Sequence, residues 1–336
     1  MKVIELQARE GIGSLVIGER AKPEPGPGEI LVRIKAVTLN YRDLAIAQGS
    51  YGSFALPIVP TSDACGEVVA TGQGVTRFQS GDSVCPLYVM DWLNGPPQAQ
   101  FVTRRLGGPQ DGVLAEYVCI AEQAAVRAPR HMSAVEAASL PIAGVTAWQA
   151  LFVQGRVTPG DVVVVQGTGG VSIFALQLAR GAGASVIATT SSDDKARRVK
   201  ALGATEVINY REHADWQDQV MSLTDGRGAD HVIDVVGGTN IDRSIRATRI
   251  GGTVSLIGFL EDTQGVFNLP EAFRRVVTLN CISVGSRSAF EALVAATEVQ
   301  QLKPVISRVF SFDEIHSAYE YLASGSHFGK VAIELA

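Results

Sequence analysis

The residues best placed to do chemistry are Gly167-Thr168-Gly169-Gly170-Val171-Ser172. They follow the apolar run Asp161-Val162-Val163-Val164-Val165-Gln166 and open a helical stretch over 173–180. A strand, a glycine turn and a helix N-terminus gather unpaired backbone N–H groups and the positive end of the helix dipole at one point, where the pyrophosphate of a dinucleotide can sit. Gly167 permits the tight turn and Gly169 lets the backbone approach a ligand. Gly170 and the small Ser172 let the helix pack closely on the strand. With 35 glycines in the chain, a glycine pattern alone is weak; the flanking strand and helix make it a nucleotide site.

The next strand, Ser185-Val186-Ile187-Ala188-Thr189, ends where an acidic residue would bind the ribose 2′-hydroxyl of NAD. Thr190-Ser191-Ser192 stands there instead. A carboxylate would repel a 2′-phosphate, whereas two hydroxyls with Lys195, Arg197 and Arg198 downstream can donate to one, which favours NADPH over NADH. On the alternative reading, Ser191 or Ser192 caps the helix over 193–202 and the basic residues are its solvated face. Both readings hold together, and Asp193 and Asp194 temper the positive field.

The elements that must position these groups follow from the texture of the chain. Residues 3–125 carry short β-like runs at 29–37, 66–71 and 114–120. Turn signals such as Pro23-Glu24-Pro25-Gly26-Pro27-Gly28 and Gly72-Gln73-Gly74 separate them, which predicts a partly antiparallel β domain. Over 126–300 strand and helix alternate, with strands expected at 162–166, 185–189, 206–209, 231–235, 253–257 and 279–284. That alternation predicts a doubly wound parallel sheet. The tail, 301–336, ends in Gly329-Lys330-Val331-Ala332-Ile333-Glu334-Leu335, a strand able to return to the first domain. The expected domains are thus 1–125 with 301–336, and 126–300.

Residues 91–112 form a long turn-rich insertion, in which Trp92 either lines a substrate pocket or packs the loop onto the body. The apolar run 279–284 reads as a late strand at a sheet edge. Exposed edges invite pairing with a second copy, so a homodimer is expected.

A length of 336 residues favours two domains, and 46% hydrophobic with 19% charged residues describes a globular chain with ample core. A net charge of −5 argues against nucleic acid as a partner. No run of about 18 apolar residues offers a membrane span. Met1-Lys2-Val3-Ile4-Glu5 lacks the basic segment and apolar core of a signal peptide, so a cytoplasmic location is expected. Cys65, Cys85, Cys119 and Cys281 stand far apart and read as small hydrophobes, not as a disulfide framework or a structural zinc lobe. His131, His213, His231, His316 and His327 are equally dispersed. No sequence-local metal site is visible, although ligands can converge in space.

With these residues in view, the chain resembles the medium-chain dehydrogenase/reductase superfamily, and within it the zinc-independent quinone oxidoreductase-like branch. The resemblance runs end to end through Pro25 to Val32, Asn40-Tyr41-Arg42-Asp43, Gly66-Glu67-Val68, Gly81-Asp82-Ser83-Val84, Asp111 to Val118, Ala143 to Trp148, and Gly167 to Val171. It implies an α/β fold: a Rossmann doubly wound parallel sheet plus a GroES-like β-rich catalytic domain built from both chain ends, with the active site in the cleft between them. Metal-dependent members carry a catalytic zinc on cysteine, histidine and cysteine or glutamate. The corresponding places here look like Asn40, Ser62 and Ile142, which make no zinc ligand set. The cysteine cluster of a structural zinc, expected after Gly81-Asp82-Ser83-Val84, is also missing. Without a Lewis acid to stabilise an alkoxide, the chemistry shifts toward conjugated acceptors, whose own π-system takes the charge.

The resemblance then implies hydride transfer from NADPH to a small electrophilic substrate, a quinone or α,β-unsaturated carbonyl compound. Asn40 would polarise the carbonyl, and Tyr41 and Tyr51 are candidate proton donors. On the plainer reading Asn40 ties down a loop, Asp43 pairs with a structural arginine and each tyrosine is a packed aromatic with a wet tip. For the cofactor, Thr146 would lie at the nicotinamide, Gly169, Gly170 and Val171 along the pyrophosphate, and Ser191, Ser192 and Lys195 near the 2′-phosphate. Gly258 and Phe259 follow a strand end, and Lys330 resembles a pyrophosphate-facing basic position. Two alternatives stay open: an alcohol dehydrogenase or carbonyl reductase using protein donors in place of zinc, and a non-catalytic NADPH-binding protein.

Overall fold

Period-two alternation of apolar and polar residues makes the first third of the chain β-rich. In this computed structural model, which describes residues 1–335, β1 (Lys2–Leu6) pairs antiparallel with β2 (Leu15–Glu19). The long β3 (Glu29–Leu39) runs straight into helix α1 (Tyr41–Ala47), and β4 (Asp63–Thr71), β5 (Ser83–Pro86), β6 (Tyr117–Ala121) and β7 (Ala125–Arg127) follow. Asp43 reaches back over the first turn of α1 and accepts the Asn40 backbone N–H at 2.8 Å, which fixes where the helix begins. Two short helices come next, α2 (Ala134–Ala137) and α3 (Val145–Trp148). Wide π-type stretches, Leu140–Gly144 and Gln149–Gln154, bracket α3.

The second unit, Thr146–Val284, is the expected alternation. Its elements are β8 (Val162–Gln166), α4 (Gly170–Gly181), β9 (Ser185–Thr190), α5 (Asp193–Ala201), β10 (Glu206–Asn209), α6 (Trp216–Leu223), β11 (Ala229–Asp234), α7 (Asn240–Ala247), β12 (Thr248–Leu256), α8 (Leu269–Arg275) and β13 (Thr278–Cys281). All six strands run parallel in the order β10-β9-β8-β11-β12-β13. Helices cover both faces of such a sheet, which is why β8 is four consecutive valines and not an alternating strand. The order reverses between β8 and β11, and ligands of open α/β sheets bind beyond the strand C-termini at that reversal. The opposite end is pinned by Asp230, which takes two hydrogen bonds from Arg227, at 2.9 and 2.6 Å, and one from the Val162 N–H at 2.8 Å. Burial alone would raise this carboxyl; Arg227, the Val162 N–H and Arg249 bring it down to about 2.

The chain then returns to the first unit as α9 (Arg287–Gln300), β14 (Ile306–Ser311), α10 (Ile315–Ala323) and β15 (Lys330–Glu334). β15 lies antiparallel to the end of β3, with Val331 opposite Leu39. The resulting sheet has the order β14-β15-β3-β4-β5-β7, with β6 also on β3. Its core gathers Ile4, Ile34, Leu39, Leu114, Tyr319 and Ile333, all buried. Gly329 starts β15 at φ +84°, and a Cβ there would lie 2.2 Å from the Val305 carbonyl oxygen, so glycine alone fits.

The units divide at Val145/Thr146 and Val284/Gly285. Residues 126–145 and 285–300, expected with the dinucleotide-binding domain, therefore belong to the first unit. α9 reads in sequence like one more helix of the alternation. Its buried face, Ala289, Phe290 and Leu293, packs instead with β7, and the Arg287 and Ser288 N–H groups donate to the carbonyls of Trp92 and Leu93 at 2.9 and 3.0 Å. Among the described residues no helix is long and apolar enough to cross a membrane.

Candidate functional site

In the second unit the glycine turn closes the end of β8. Gly167 sits at φ +73° and its N–H donates to the Thr189 carbonyl at 2.9 Å, which locks the turn to β9. Gly169 is different. Its φ of −76° suits any residue, and a Cβ built on it would meet no atom within 4 Å. Neither conformation nor packing asks for glycine there, and the open backbone leaves room for a ligand to approach. Gly170 and Val171 form the first turn of α4, whose N-terminus has no side-chain cap. The Ser172 hydroxyl donates to the Gln166 carbonyl at 2.6 Å and straps α4 to β8. This cradle fits a dinucleotide pyrophosphate.

Across the reversal, a buried polar network that sequence reading missed holds the second turn in place. Ser244 Oγ donates to Asp234 Oδ2 at 2.6 Å, Asn240 Nδ2 to Gln166 Oε1 at 2.9 Å and to Asp234 Oδ2 at 3.1 Å, and Gln166 Nε2 to Ser244 Oγ at 2.8 Å. Asp234 Oδ1 accepts the Val236 and Gly237 N–H groups, each at 2.9 Å. The sequence signal was partial: Gln166 is the one polar residue of its strand, whereas Asp234 ends a strand that also carries Asp230 and His231. Gly258 is explained by the same close approach, because a Cβ there would lie 2.1 Å from the Val235 carbonyl oxygen. Phe259 is 37% exposed beside it. The Thr146 hydroxyl is buried and meets no hydrogen-bond partner among the described residues.

At the end of β9 the capping reading holds for Ser192, whose hydroxyl accepts the Lys195 N–H at 3.4 Å. Ser191 is half-buried beside it. Burial first, then Arg198 and Arg211, lowers the Lys195 ammonium, so three cations converge here. Arg197 instead pairs with Asp194 at 3.3 Å. Arg211 was not singled out from sequence because it belongs to the next strand's exit; the Tyr210 N–H, donating to the Thr190 carbonyl at 2.9 Å, brings it alongside.

The first unit holds a second cluster. Lys330 Nζ donates to the Leu39 carbonyl at 2.8 Å, to Asn40 Oδ1 at 2.6 Å and to Asp63 Oδ2 at 3.4 Å, while Asn40 Nδ2 donates to Asp63 Oδ2 at 2.9 Å. Lys330 and Asp63 are both buried. Burial raises Asp63 to about 6 against the pull of Lys330 and Asn40, and burial lowers Lys330. Lys330, expected to present its charge to a pyrophosphate, instead has all three donors engaged within its own unit. Thr61 Oγ1, Ser62 Oγ and Asp63 Oδ1 are buried beside one another in sequence and meet no hydrogen-bond partner among the described residues.

Around this cluster Arg42 works as a clamp. Its guanidinium donates to Asp43 at 3.2 Å and to the carbonyls of Leu106, Gly107 and Gly108 at 3.3, 3.5 and 3.3 Å. It also lies 4.9 Å from the Tyr88 ring centre and 5.5 Å from that of Tyr51. Asp43 thus pairs with a structural arginine, Arg42, and Tyr51 lies against the same guanidinium. Tyr41 is 44% exposed on the first turn of α1. Trp92 packs its own loop, edge-on to Phe101 at 5.5 Å and donating to the Gly95 carbonyl at 2.8 Å.

The zinc of metal-dependent relatives does not fit these residues. Ile142 has no donor atom, and Asn40 Oδ1 already accepts an ammonium whose charge would repel a divalent ion. Among the described residues no group of three or more histidines, cysteines, aspartates and glutamates converges as a metal site would require.

Residues 26–130 match the family model described as an alcohol dehydrogenase GroES-like domain, and residues 170–298 the model described as a zinc-binding dehydrogenase. A zinc-type alcohol dehydrogenase-like protein of Schizosaccharomyces pombe is 42% identical over 316 residues, 92% of this chain and 91% of that one. The chain belongs to the medium-chain dehydrogenase/reductase superfamily. It is an oxidoreductase of that superfamily, whose members bind NAD(P). A chloroplastic quinone oxidoreductase of Triphysaria versicolor is 30% identical over 330 residues, 93% of this chain and 91% of that one. A crystal structure from Sinorhizobium meliloti 1021, assigned as an alcohol dehydrogenase, superposes with a TM-score of 0.92 at 42% identity, covering 99% of both chains.

Proposed function

We propose that this oxidoreductase passes hydride from NADPH to a quinone or α,β-unsaturated carbonyl acceptor without a zinc ion. The observation that carries this reading is the Asn40–Lys330–Asp63 cluster: by the resemblance Asn40 stands at a zinc-ligand place of metal-dependent relatives, and its carboxamide oxygen is taken by a buried ammonium. Bound NADPH supplies the hydride. Gly167, Gly169, Gly170 and Val171 would cradle its pyrophosphate, Ser191 with Lys195, Arg198 and Arg211 would hold the 2′-phosphate, and the Thr146 hydroxyl would meet the nicotinamide amide.

Asn40 Oδ1 is committed to Lys330 and one N–H to Asp63, so the group left for a substrate oxygen is its second N–H. A single neutral donor suits charge that is already spread over a conjugated system better than the concentrated charge of an alkoxide. Tyr41, 44% exposed and next in sequence to Asn40, would return the proton. Asn40→Ala should lower turnover of an enone or quinone about 100-fold, the usual cost of one such donor. The NADPH dissociation constant should stay within about twofold, and unchanged turnover would remove Asn40 from the reaction. The alcohol dehydrogenase reading is favoured by the names of the Schizosaccharomyces and Sinorhizobium relatives; primary-alcohol oxidation that survives chelation would support it.

A further inference from the structure

We propose that Asp63 and Lys330 are a positioning pair for Asn40, fixing its carboxamide so that an N–H, and not the oxygen, is offered to the substrate. This rests on the hydride-transfer reading above and goes beyond it by assigning two residues that touch neither cofactor nor substrate. An asparagine has one end that accepts and one that donates, and the two are nearly the same shape. Its neighbours decide which way round it sits. An ammonium only donates and an ionised carboxylate only accepts, so Lys330 selects Oδ1 and Asp63 selects Nδ2. The flipped amide would set oxygen against carboxylate and N–H against ammonium.

The meeting of these three residues is built into the sheet. Asn40 follows β3 directly, Lys330 opens β15 and Asp63 opens β4, and β3 pairs with both strands: Leu39 lies opposite Val331 and Thr38 opposite Asp63. The tail of the chain is thereby brought to the exit of β3, and Gly329 permits the approach that starts β15. Stability gives little reason for such a pair. A buried lysine and aspartate cost desolvation that apolar residues of similar size would avoid, and conformational specificity is what a buried pair can provide instead. A pyrophosphate role is disfavoured by the three donors already engaged.

The groups facing Asp63 are Lys330 from β15, Asn40, Asp43 from α1 with its own partner Arg42, and Cys85 from β5. Ionised Asp63 can only accept, whereas the protonated group can also donate and no longer dictates which end of Asn40 faces it, so turnover should fall as pH drops through about 6. That acid limb should vanish in Asp63→Asn, which keeps the shape and loses the charge.

The test uses the full-length protein with NADPH bound. For Lys330→Met and Asp63→Asn we expect kcat on an enone to fall 10- to 100-fold while the NADPH dissociation constant stays within about threefold. Lys330→Arg should recover part of the loss. A tenfold weaker NADPH complex with unchanged kcat would make Lys330 a cofactor ligand and overturn the proposal. A second readout needs no turnover: with selectively labelled asparagine, the Asn40 side-chain amide resonances should shift between pH 5 and pH 7 in the wild type and stay fixed in Asp63→Asn. Resonances that ignore pH in the wild type would also overturn it. A wild type that turns over no acceptor yet shows this shift would defeat the hydride-transfer reading and leave the pairing standing.

Discussion

Gly169 is a residue whose identity the folded chain does not explain, which makes it the sharpest probe of the cofactor site. Its backbone is ordinary and the space above it is open. Gly169→Ala should therefore cost about 1 kcal/mol of stability or less, yet weaken NADPH binding tenfold or more, as read by fluorescence titration. Equal affinity in the variant would show that nothing approaches that backbone. Gly167 and Gly169 were legible in sequence because a strand precedes them and a helix follows. Gly258 was flagged as a ligand position, but the Val235 carbonyl already requires it. The Lys330–Asp63 pair was not legible as a pair, since 267 positions separate its members and only the return of β15 to β3 unites them.

Arg42 shows how one buried cation organises an element. It holds the 106–108 segment by three carbonyls, and that segment leads into a loop pressed on Thr61: Cβ atoms at Gly107 and Gly112 would lie 2.5 and 1.9 Å from the Thr61 carbonyl oxygen. Arg42→Met should destabilise the protein by about 3 to 5 kcal/mol, because it strands the buried Asp43 carboxylate. Urea unfolding at pH 7 measures this, and a loss under about 1 kcal/mol would show that the clamp is dispensable. The longer strands were legible from period and flanking turns. The short β5 and β7 were not, since three or four residues carry no readable alternation. By contacts α9 groups with the first unit, which its sequence does not signal, because an amphipathic helix does not announce which sheet it will cover.

At the scale of the whole molecule, β13 lies at the free edge of the six-stranded sheet, as the apolar run 279–284 suggested. The helix before it, α8, leaves Leu269, Phe273 and Val276 exposed, Phe273 to 76%. An unpaired edge next in sequence to apolar side chains is a surface a second copy can cover. We therefore predict a homodimer, seen as twice the chain mass by sedimentation at micromolar concentration; a monomer there would refute it.

The central claim is hydride transfer from NADPH to a conjugated acceptor without zinc, and stopped-flow oxidation of NADPH and of NADH tests it most directly. Both are run with a metal chelator present, against matched quinones, enones, aldehydes and alcohols. Rapid consumption of NADPH with quinones or enones, slower consumption of NADH, and no effect of the chelator are expected. Tight NADPH binding without turnover of any acceptor, or activity that the chelator abolishes, would contradict that claim.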